Sequence, residues 1–227
     1  MIHSLFPNEN IRNYCQYCNL TNDTHILDIG CGSGGLLYLF AEVGLNHLLG
    51  IDPFLEKDIV YDNGLKILKK SIHDVEGKWD LIMFHHSFEH IPDPTETLCK
   101  VAELLAKGGI CLIRIPTVSS FAWENYKENW VQLDAPRHFF LHSLDSILRL
   151  AEKAFLKLEK VVFDSSSFQF WGSEQYKRDI PLKSEQSYGQ NPNKSIFTKA
   201  DIKKFEQEAK ELNLKNQGDQ AAFYLRN

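Results

Sequence analysis

The stretch His25-Ile-Leu-Asp-Ile-Gly-Cys-Gly-Ser-Gly-Gly35 decides the fold of this chain. Its apolar run, Ile26 to Ile29, is typical of a buried parallel strand. The glycines that follow predict a tight turn into a helix that begins near Leu36, because glycine accepts unusual backbone angles and puts no Cβ in front of a ligand. The free N–H groups of the first helical turn would face that ligand.

The glycine spacing fits two kinds of site. Gly30, Gly32 and Gly35 match G-x-G-x-x-G, the dinucleotide pattern. With Gly34 as the third glycine, the stretch matches G-x-G-x-G, the pattern of S-adenosylmethionine sites. Asp28 favours the second pattern, because a carboxylate there would repel the pyrophosphate of NAD and attract the ammonium and sulfonium groups of S-adenosylmethionine. A glycine turn without a ligand, beside a solvated Asp28, is the alternative.

Length and composition indicate a globular protein. The 227 residues suffice for one sizeable core, and the contents of 43% hydrophobic and 24% charged residues are ordinary. The net charge of −5 argues against a nucleic-acid partner, which usually requires a basic face. No apolar run reaches the roughly 18 residues of a membrane span. The N-terminus lacks the pattern of a signal peptide, so we expect a cytoplasmic protein.

The cysteines and clustered histidines predict no metal site. Five scattered cysteines suggest no disulfide framework. Cys15-x-x-Cys18 has metal-ligand spacing, but a structural zinc site needs four ligands. We interpret both as free thiols on an N-terminal helix. The three histidines of His85-His-Ser-Phe-Glu-His90 lack the spacing of a zinc motif.

Strands alternate with helices along the chain, which predicts a doubly wound α/β sheet with helices on both faces. The late helix before the last strand suits an antiparallel final strand in an otherwise parallel sheet. The expected fold is therefore a Rossmann-like, seven-stranded sheet in a single domain, 1–227, with an N-terminal helical segment, 1–24, and a lid or insertion, 165–197. The strands are expected at about 25–29, 47–52, 65–69, 79–84, 110–115, 158–163 and 220–225.

Polar residues follow other strands of this predicted sheet. Asp52 comes 22 residues after Gly30, where βαβ nucleotide units carry the acid that binds ribose, and Pro53 would stiffen its turn. Asp74 is a candidate acceptor for the exocyclic amine of an adenine ring, and Ile72 a candidate cover for the ring face. An ordinary polar loop at this position is the alternative.

Four motifs, in this order and spacing, resemble those of class I S-adenosylmethionine-dependent methyltransferases over about residues 20–115. They are Ile26–Gly34, Gly50–Pro53, Trp79–Pro94 and Leu104–Gly109. Asp134-Ala-Pro-Arg-His138, with the following Phe-x-x-His-Ser143, further resembles the ubiquinone-biosynthesis-like branch, methyltransferase domain family 23. Some members of that branch carry a cysteine-rich zinc module, which the single Cys-x-x-Cys here does not match.

The resemblance implies a set of cofactor-binding residues. The turn would hold the methionine part of S-adenosylmethionine, with Asp52 and Pro53 at the ribose and His85 near the methyl donor. S-adenosylhomocysteine would be the product, and the acceptor is implied only as a small molecule. The residues of the turn are Asp28, Gly30, Cys31, Gly32, Ser33 and Gly34, and those of the adenine loop are Ile72, His73 and Asp74.

Methyl transfer mainly requires alignment of acceptor, methyl and sulfur, but a hydroxyl acceptor also needs a base. His138 is the first candidate, because it lies in the loop expected over the acceptor and Asp134 is placed to orient it. His86, at the end of the fourth predicted strand, is the second. A structural role for His138 in pinning its loop stays open, and a nitrogen acceptor would need no base. Aromatic residues expected to form an apolar acceptor wall are Phe121, Trp123, Trp130 and Trp171.

The predicted function is thus O- or N-methylation of a small-molecule acceptor by S-adenosylmethionine. Two alternatives belong to other classes. A non-catalytic S-adenosylmethionine-binding module would carry the same cofactor residues. An NAD-dependent oxidoreductase fits Gly35 and Asp52, but not Asp28.

Overall fold

The computed structural model describes residues 11–12 and 15–227. The predicted N-terminal helical segment lies partly outside these residues; within it, residues 11–12 and 15 are helical. The chain forms two compact units. The first comprises residues up to 115 together with 145–161 and 222–227, and the second comprises 116–144 and 162–221.

The strands form one mixed sheet in the order β3-β4-β2-β1-β5-β6-β8-β7. Parallel pairs join β1 to β2 and β5, β2 to β4, and β5 to β6, whereas β3 runs antiparallel to β4. The carboxyl ends of the parallel strands therefore lie along one edge of the sheet. The strands are β1 His25–Ile29, β2 His47–Ile51, β3 Ile59–Val60, β4 Lys66–Leu68, β5 Trp79–His85, β6 Leu105–Pro116, β7 Lys157–Phe163 and β8 Gln220–Arg226.

Helices lie on both sides of the sheet. The α2 helix begins with a well-formed cap, in which the Asp93 carboxylate accepts the N–H of Glu96 at 2.9 Å and Pro94 occupies the first turn. This start places the first turn of α2 shortly after the end of β5. The helices are α1 Gly35–Glu42, α2 Pro94–Leu104, α3 Phe121–Tyr126, α4 Leu144–Lys153, α5 Phe168–Tyr176 and α6 Lys199–Leu214.

The last strand runs antiparallel to β6, as predicted. Arg226, at the end of β8, donates to the carbonyl of Gly108 near the start of β6 at 2.6 Å. At the other end, Thr117 N–H donates to the carbonyl of Asp219 at 2.9 Å. The predicted number of seven strands was one too low, because β3 has only two residues and so carries no periodic signal.

The second unit has an aromatic core of its own. Trp130 is fully buried and donates its indole N–H to the buried Asp219 carboxylate at 2.9 Å. Phe170, on α5, packs in the same cluster. Gln175 is also buried and bonds both Ser187 Oγ (3.1 Å) and the N–H of Tyr188 (2.8 Å). Parts of the segment predicted as a lid or insertion are therefore built into this core, and Trp130 is a core residue rather than part of an exposed wall.

Candidate functional site

The turn after β1 is shaped by glycines with left-handed backbone angles. Gly30 has φ +71°, and its N–H donates to the carbonyl of Ile51 at 2.8 Å. A Cβ on Gly30 would lie 2.5 Å from the Cβ of Ser87, whose hydroxyl donates to the carbonyl of Ile29. Gly32 has φ +55°, and a Cβ there would meet no atom within 4 Å among the described residues. The turn is thus closely packed behind Gly30 and open beside Gly32.

Gly34→Ala is expected to destabilise the first unit. Gly34 has φ +80°, and a Cβ there would lie 2.3 Å from Cδ1 of Ile67, which is fully buried. We expect about 1–3 kcal/mol from overpacking, beyond the cost of the left-handed backbone. Gly64→Ala is the matched control, because Gly64 has φ +83° and a Cβ there would meet no atom of residues 11–12 or 15–227 within 4 Å. Urea unfolding of both variants measures the difference, and equal losses of stability would contradict the packing argument.

Asp52 is held by the backbone around it. Its Oδ2 accepts the N–H of Gly32 and its Oδ1 accepts the N–H of Phe54, each at 2.9 Å. Each carboxylate oxygen has a further lone pair, so the group can still accept hydrogen bonds from a ligand. The glycine turn and Asp52 therefore form one connected structure.

A cavity of about 460 Å³ lies beside this structure. It brings together four of the segments that the sequence singled out, near Gly30, Asp52–Pro53, Ile72–His73 and His86. Its size is within the usual range for small-molecule sites. Other predicted site residues of the first unit do not line it; these are Asp28, Cys31, Gly32, Ser33, Gly34, Asp74 and His85.

The Asp74 carboxylate caps the short turn that contains it. Its Oδ2 accepts the N–H and the hydroxyl of Ser71 at 3.0 and 2.8 Å, and these bonds lower the pKa of this exposed carboxyl. The same capping places Ile72 and His73 at the cavity wall. Sequence reasoning missed several further lining residues, although the cap at the start of α2 was a signal for some of them. They are Ile29, Phe54, Lys70, Ser71, Ser87, His90, Ile91, Pro92, Asp93, Glu96 and Thr97.

Asp28 is buried directly before the glycine turn. It is 2% exposed, and its Oδ1 has no hydrogen-bond partner among the described residues. Burial, followed by the charge of Asp52, raises the pKa of Asp28 to about 8. Burial and the same two carboxylates also raise the pKa of the Cys31 thiol, so this cysteine is a neutral part of the turn. A buried carboxyl oxygen without a partner, beside a turn open at Gly32, fits a cationic ligand.

This shift predicts how stability depends on pH. Because the folded protein holds the Asp28 proton more tightly than the unfolded chain does, its contribution to the free energy of unfolding falls as pH rises from about 4 to about 8. Asp28→Asn cannot ionise, so its stability relative to the wild type should increase with pH over this window. Urea unfolding from pH 5 to 8.5 checks this, with Asp74→Asn as a control at an exposed carboxyl. A constant difference between Asp28→Asn and the wild type would contradict the prediction.

Two histidines stand at the end of β5. His85 is neutral near pH 7, because burial, with the charges of Arg114 and His86, lowers its pKa to about 3. His86 lines the cavity. Its Nε2 lies 2.8 Å from Nη1 of Arg114, on β6.

His138 belongs to the second unit. Its side chain is 6% exposed, and its Nε2 lies 3.7 Å from Oδ2 of Asp134. Arg137 donates through Nε and Nη2 to Oδ1 of the same carboxylate, at 3.1 and 2.7 Å. Asp134 is therefore held in place next to His138, as an orienting residue must be.

Cys15 and Cys18 are both buried thiols. Burial raises the pKa of both, that of Cys18 to about 12. Both thiols are therefore protonated near neutral pH.

A comparison of the sequence with protein families gives the same interpretation as the geometry of the glycine turn, Asp28 and Asp52. The model of the family described as methyltransferase domain matches residues 4–161. This chain belongs to that family. The predicted resemblance to class I methyltransferases, with S-adenosylmethionine as their cofactor, is confirmed. Among the residues that the structure describes, no helix is long and apolar enough to cross a membrane.

Relatives of this methyltransferase domain differ in their named reactions. The ubiquinone biosynthesis O-methyltransferase of Aromatoleum aromaticum is 31% identical over 96 residues, which cover 37% of this chain and 40% of that protein. The C-methyltransferase NovU of Streptomyces niveus is 27% identical over 151 residues, which cover 63% of this chain and 35% of that protein. The chain thus spans less than half the length of either relative.

Solved structures share the fold at low sequence identity. An S-adenosylmethionine-dependent methyltransferase from Mesorhizobium loti has a TM-score of 0.60 at 14% identity, covering 98% of this chain and all of that one. A putative methyltransferase solved in a complex from Haloferax volcanii has a TM-score of 0.58 at 15% identity, covering 95% of this chain and 86% of the matched one. The predicted Rossmann-like class of fold is confirmed.

Proposed function

We propose that residues 1–227 act as one methyltransferase domain that moves a methyl group from S-adenosylmethionine to the oxygen or nitrogen of a small molecule. The observation that carries this proposal is the buried Asp28 oxygen, which has no hydrogen-bond partner within the described part of the chain. It lies directly before the glycine turn, and Asp52, which is bonded to that turn, lines the cavity. When bound, S-adenosylmethionine supplies a methyl group activated by a positive sulfur. The net charge of −5 supports a small molecule over a nucleic acid as acceptor.

The residues of the first unit have separate roles in this proposal. Asp52, already oriented by two backbone N–H groups, would accept the hydroxyls of the ribose. Asp28, once ionised, would offset the positive charge of the ligand in a buried site. Ile72 and His73 would lie at the adenine, while Asp74 keeps their turn in place. NAD is disfavoured, because its pyrophosphate gains no charge attraction from Asp28 in either protonation state, whereas a cationic ligand would favour the ionised carboxylate.

The acceptor class is the least constrained part of the proposal. The relatives named above include an O- and a C-methyltransferase, so their names favour no single acceptor atom. We propose His138 as the base for a hydroxyl acceptor, supported by the carboxylate of Asp134 held beside it. Phe121 is 43% exposed and remains a candidate for contact with an apolar acceptor.

Ligand titrations test the proposed function. Calorimetry with S-adenosylmethionine, S-adenosylhomocysteine and NAD should show binding of the first two alone. Radiolabelled S-adenosylmethionine, incubated with panels of phenols, catechols, alcohols and amines, should then transfer label to one class. Binding without transfer to any class would favour a non-catalytic binding module, and binding of NAD alone would overturn the proposal.

A further inference from the structure

The backbone of His86 is held in a conformation that residues other than glycine rarely adopt. Its φ is +53°, in the left-handed region, where a residue that is not glycine needs support from its surroundings. Its N–H donates to the carbonyl of Arg114 at 2.9 Å. Arg114, on β6, lies opposite His85 in the parallel β5–β6 register, and His86 is the next residue along the chain from His85.

The side chain of His86 is fixed by the same residue. Nη1 of Arg114 lies 2.8 Å from Nε2 of His86, and Arg114 is 8% exposed. A guanidinium has N–H groups only, so it must donate and Nε2 must accept. The proton of a neutral His86 ring is then on Nδ1, which lies 3.8 Å from Oε1 of the buried Glu89.

We propose that Arg114 is a positioning residue, which fixes His86 in the Nδ1–H tautomer and in its left-handed backbone at the wall of the cavity. The tautomer itself follows from the contacts within the first unit. Its importance for ligand binding rests on the proposed function, because His86 lines the cavity assigned to S-adenosylmethionine.

This arrangement changes the role predicted for His86. A general base needs a free lone pair, and the lone pair on Nε2 is directed at Arg114. The same Nη1 lies 3.5 Å from Nε2 of His85, so both rings face the guanidinium with that nitrogen. The geometry therefore argues against His86 as a base and makes its ring a fixed part of the cavity wall.

Nitrogen NMR of the ligand-free protein tests the tautomer directly. Histidine labelled with ¹⁵N, recorded near pH 8 where ordinary imidazoles are neutral, should show an unprotonated Nε2 and a protonated Nδ1 for His86. The His86→Asn variant assigns the resonances and suits the left-handed backbone, which Asn tolerates. A protonated Nε2 in the wild type would overturn the proposal, and this measurement needs neither a cofactor nor an Arg114 variant.

Arg114→Met and Arg114→Lys test the dependence on this residue. Arg114→Met keeps an apolar chain but cannot donate, so the Nε2 signal of His86 should move toward the protonated type. Binding of S-adenosylhomocysteine should weaken by about tenfold, as for one lost hydrogen bond. Arg114→Lys keeps the charge and a donor. It should therefore retain part of the unprotonated Nε2 signal and part of the affinity for S-adenosylhomocysteine.

A double-mutant cycle shows whether Arg114 acts through His86. In the His86→Asn background, Arg114→Met should weaken binding of S-adenosylhomocysteine much less than in the wild type. Equal effects in both backgrounds, or a His86 tautomer unchanged in Arg114→Met, would refute the positioning role. If the wild type bound neither S-adenosylmethionine nor S-adenosylhomocysteine, the proposed function would fail, whereas the NMR result would still decide the tautomer.

Discussion

Asp52→Ala is expected to weaken S-adenosylmethionine binding by about 100-fold or more. Two charge-assisted hydrogen bonds to ribose hydroxyls are each worth roughly 1.5–3 kcal/mol, and about 1.4 kcal/mol is tenfold in the dissociation constant. The structure adds a second cost, because Asp52 also accepts the N–H groups of Gly32 and Phe54. Alanine would leave both groups without that partner and loosen the glycine turn.

Calorimetry with S-adenosylmethionine measures this loss, and Asp58→Ala is its matched control. Asp58 also accepts a backbone N–H, that of Lys69 at 2.7 Å, but it does not line the cavity. Its removal should therefore leave the affinity unchanged. Thermal unfolding of both variants separates a local loss of affinity from a general loss of stability. An unchanged affinity of Asp52→Ala would remove Asp52 from the site.

The parts of the site that the sequence predicted well are local in the chain. A strand, a glycine turn and a helix follow one another within residues 25–42, so spacing alone indicates their geometry. Asp52 lies in the turn after β2, which pairs with β1, so the topology of a βαβ unit brings it to the glycine turn. Hydrophobic pattern and glycine spacing were sufficient for these elements.

The loop predicted to bind adenine, Ile72–Asp74, shows why side-chain roles were harder to predict. Asp74 was expected to face a ligand, but its carboxylate accepts from Ser71 and caps a short turn. Local hydrogen bonds of this kind compete with ligand contacts, and spacing in the sequence does not distinguish the two uses. Ile72 and His73 line the cavity, which their position in a loop after a strand had indicated, whereas their contact with adenine stays a prediction.

Contacts between residues far apart in the chain could not be predicted from the sequence. Trp130 and Asp219 lie 89 positions apart and meet in the core of the second unit. Arg114 reaches His86 only because β5 and β6 pair in one particular register. Neither the register nor the partner of a buried polar group has a periodic signal, so such pairs require coordinates.

His138→Ala is expected to lower kcat by roughly 10²–10⁴ with a hydroxyl acceptor, as for loss of a general base. Binding of S-adenosylmethionine should stay unchanged. The expectation depends on Asp134, whose carboxylate is held by Arg137 and lies 3.7 Å from Nε2 of His138. With Nε2 facing a carboxylate, the second ring nitrogen, Nδ1, is the atom expected to take the proton.

His138→Gln separates this role from a structural one. The side chain of His138 is 6% exposed, so its removal could lower kcat merely by loosening the loop around it. The glutamine amide can donate to the Asp134 carboxylate but cannot accept a proton near neutral pH, so it should restore stability without restoring kcat. Steady-state kinetics with the true acceptor, together with thermal unfolding, compares the two variants. A kcat close to that of the wild type in either variant would exclude His138 as the base, since neither side chain can replace an imidazole in taking the proton.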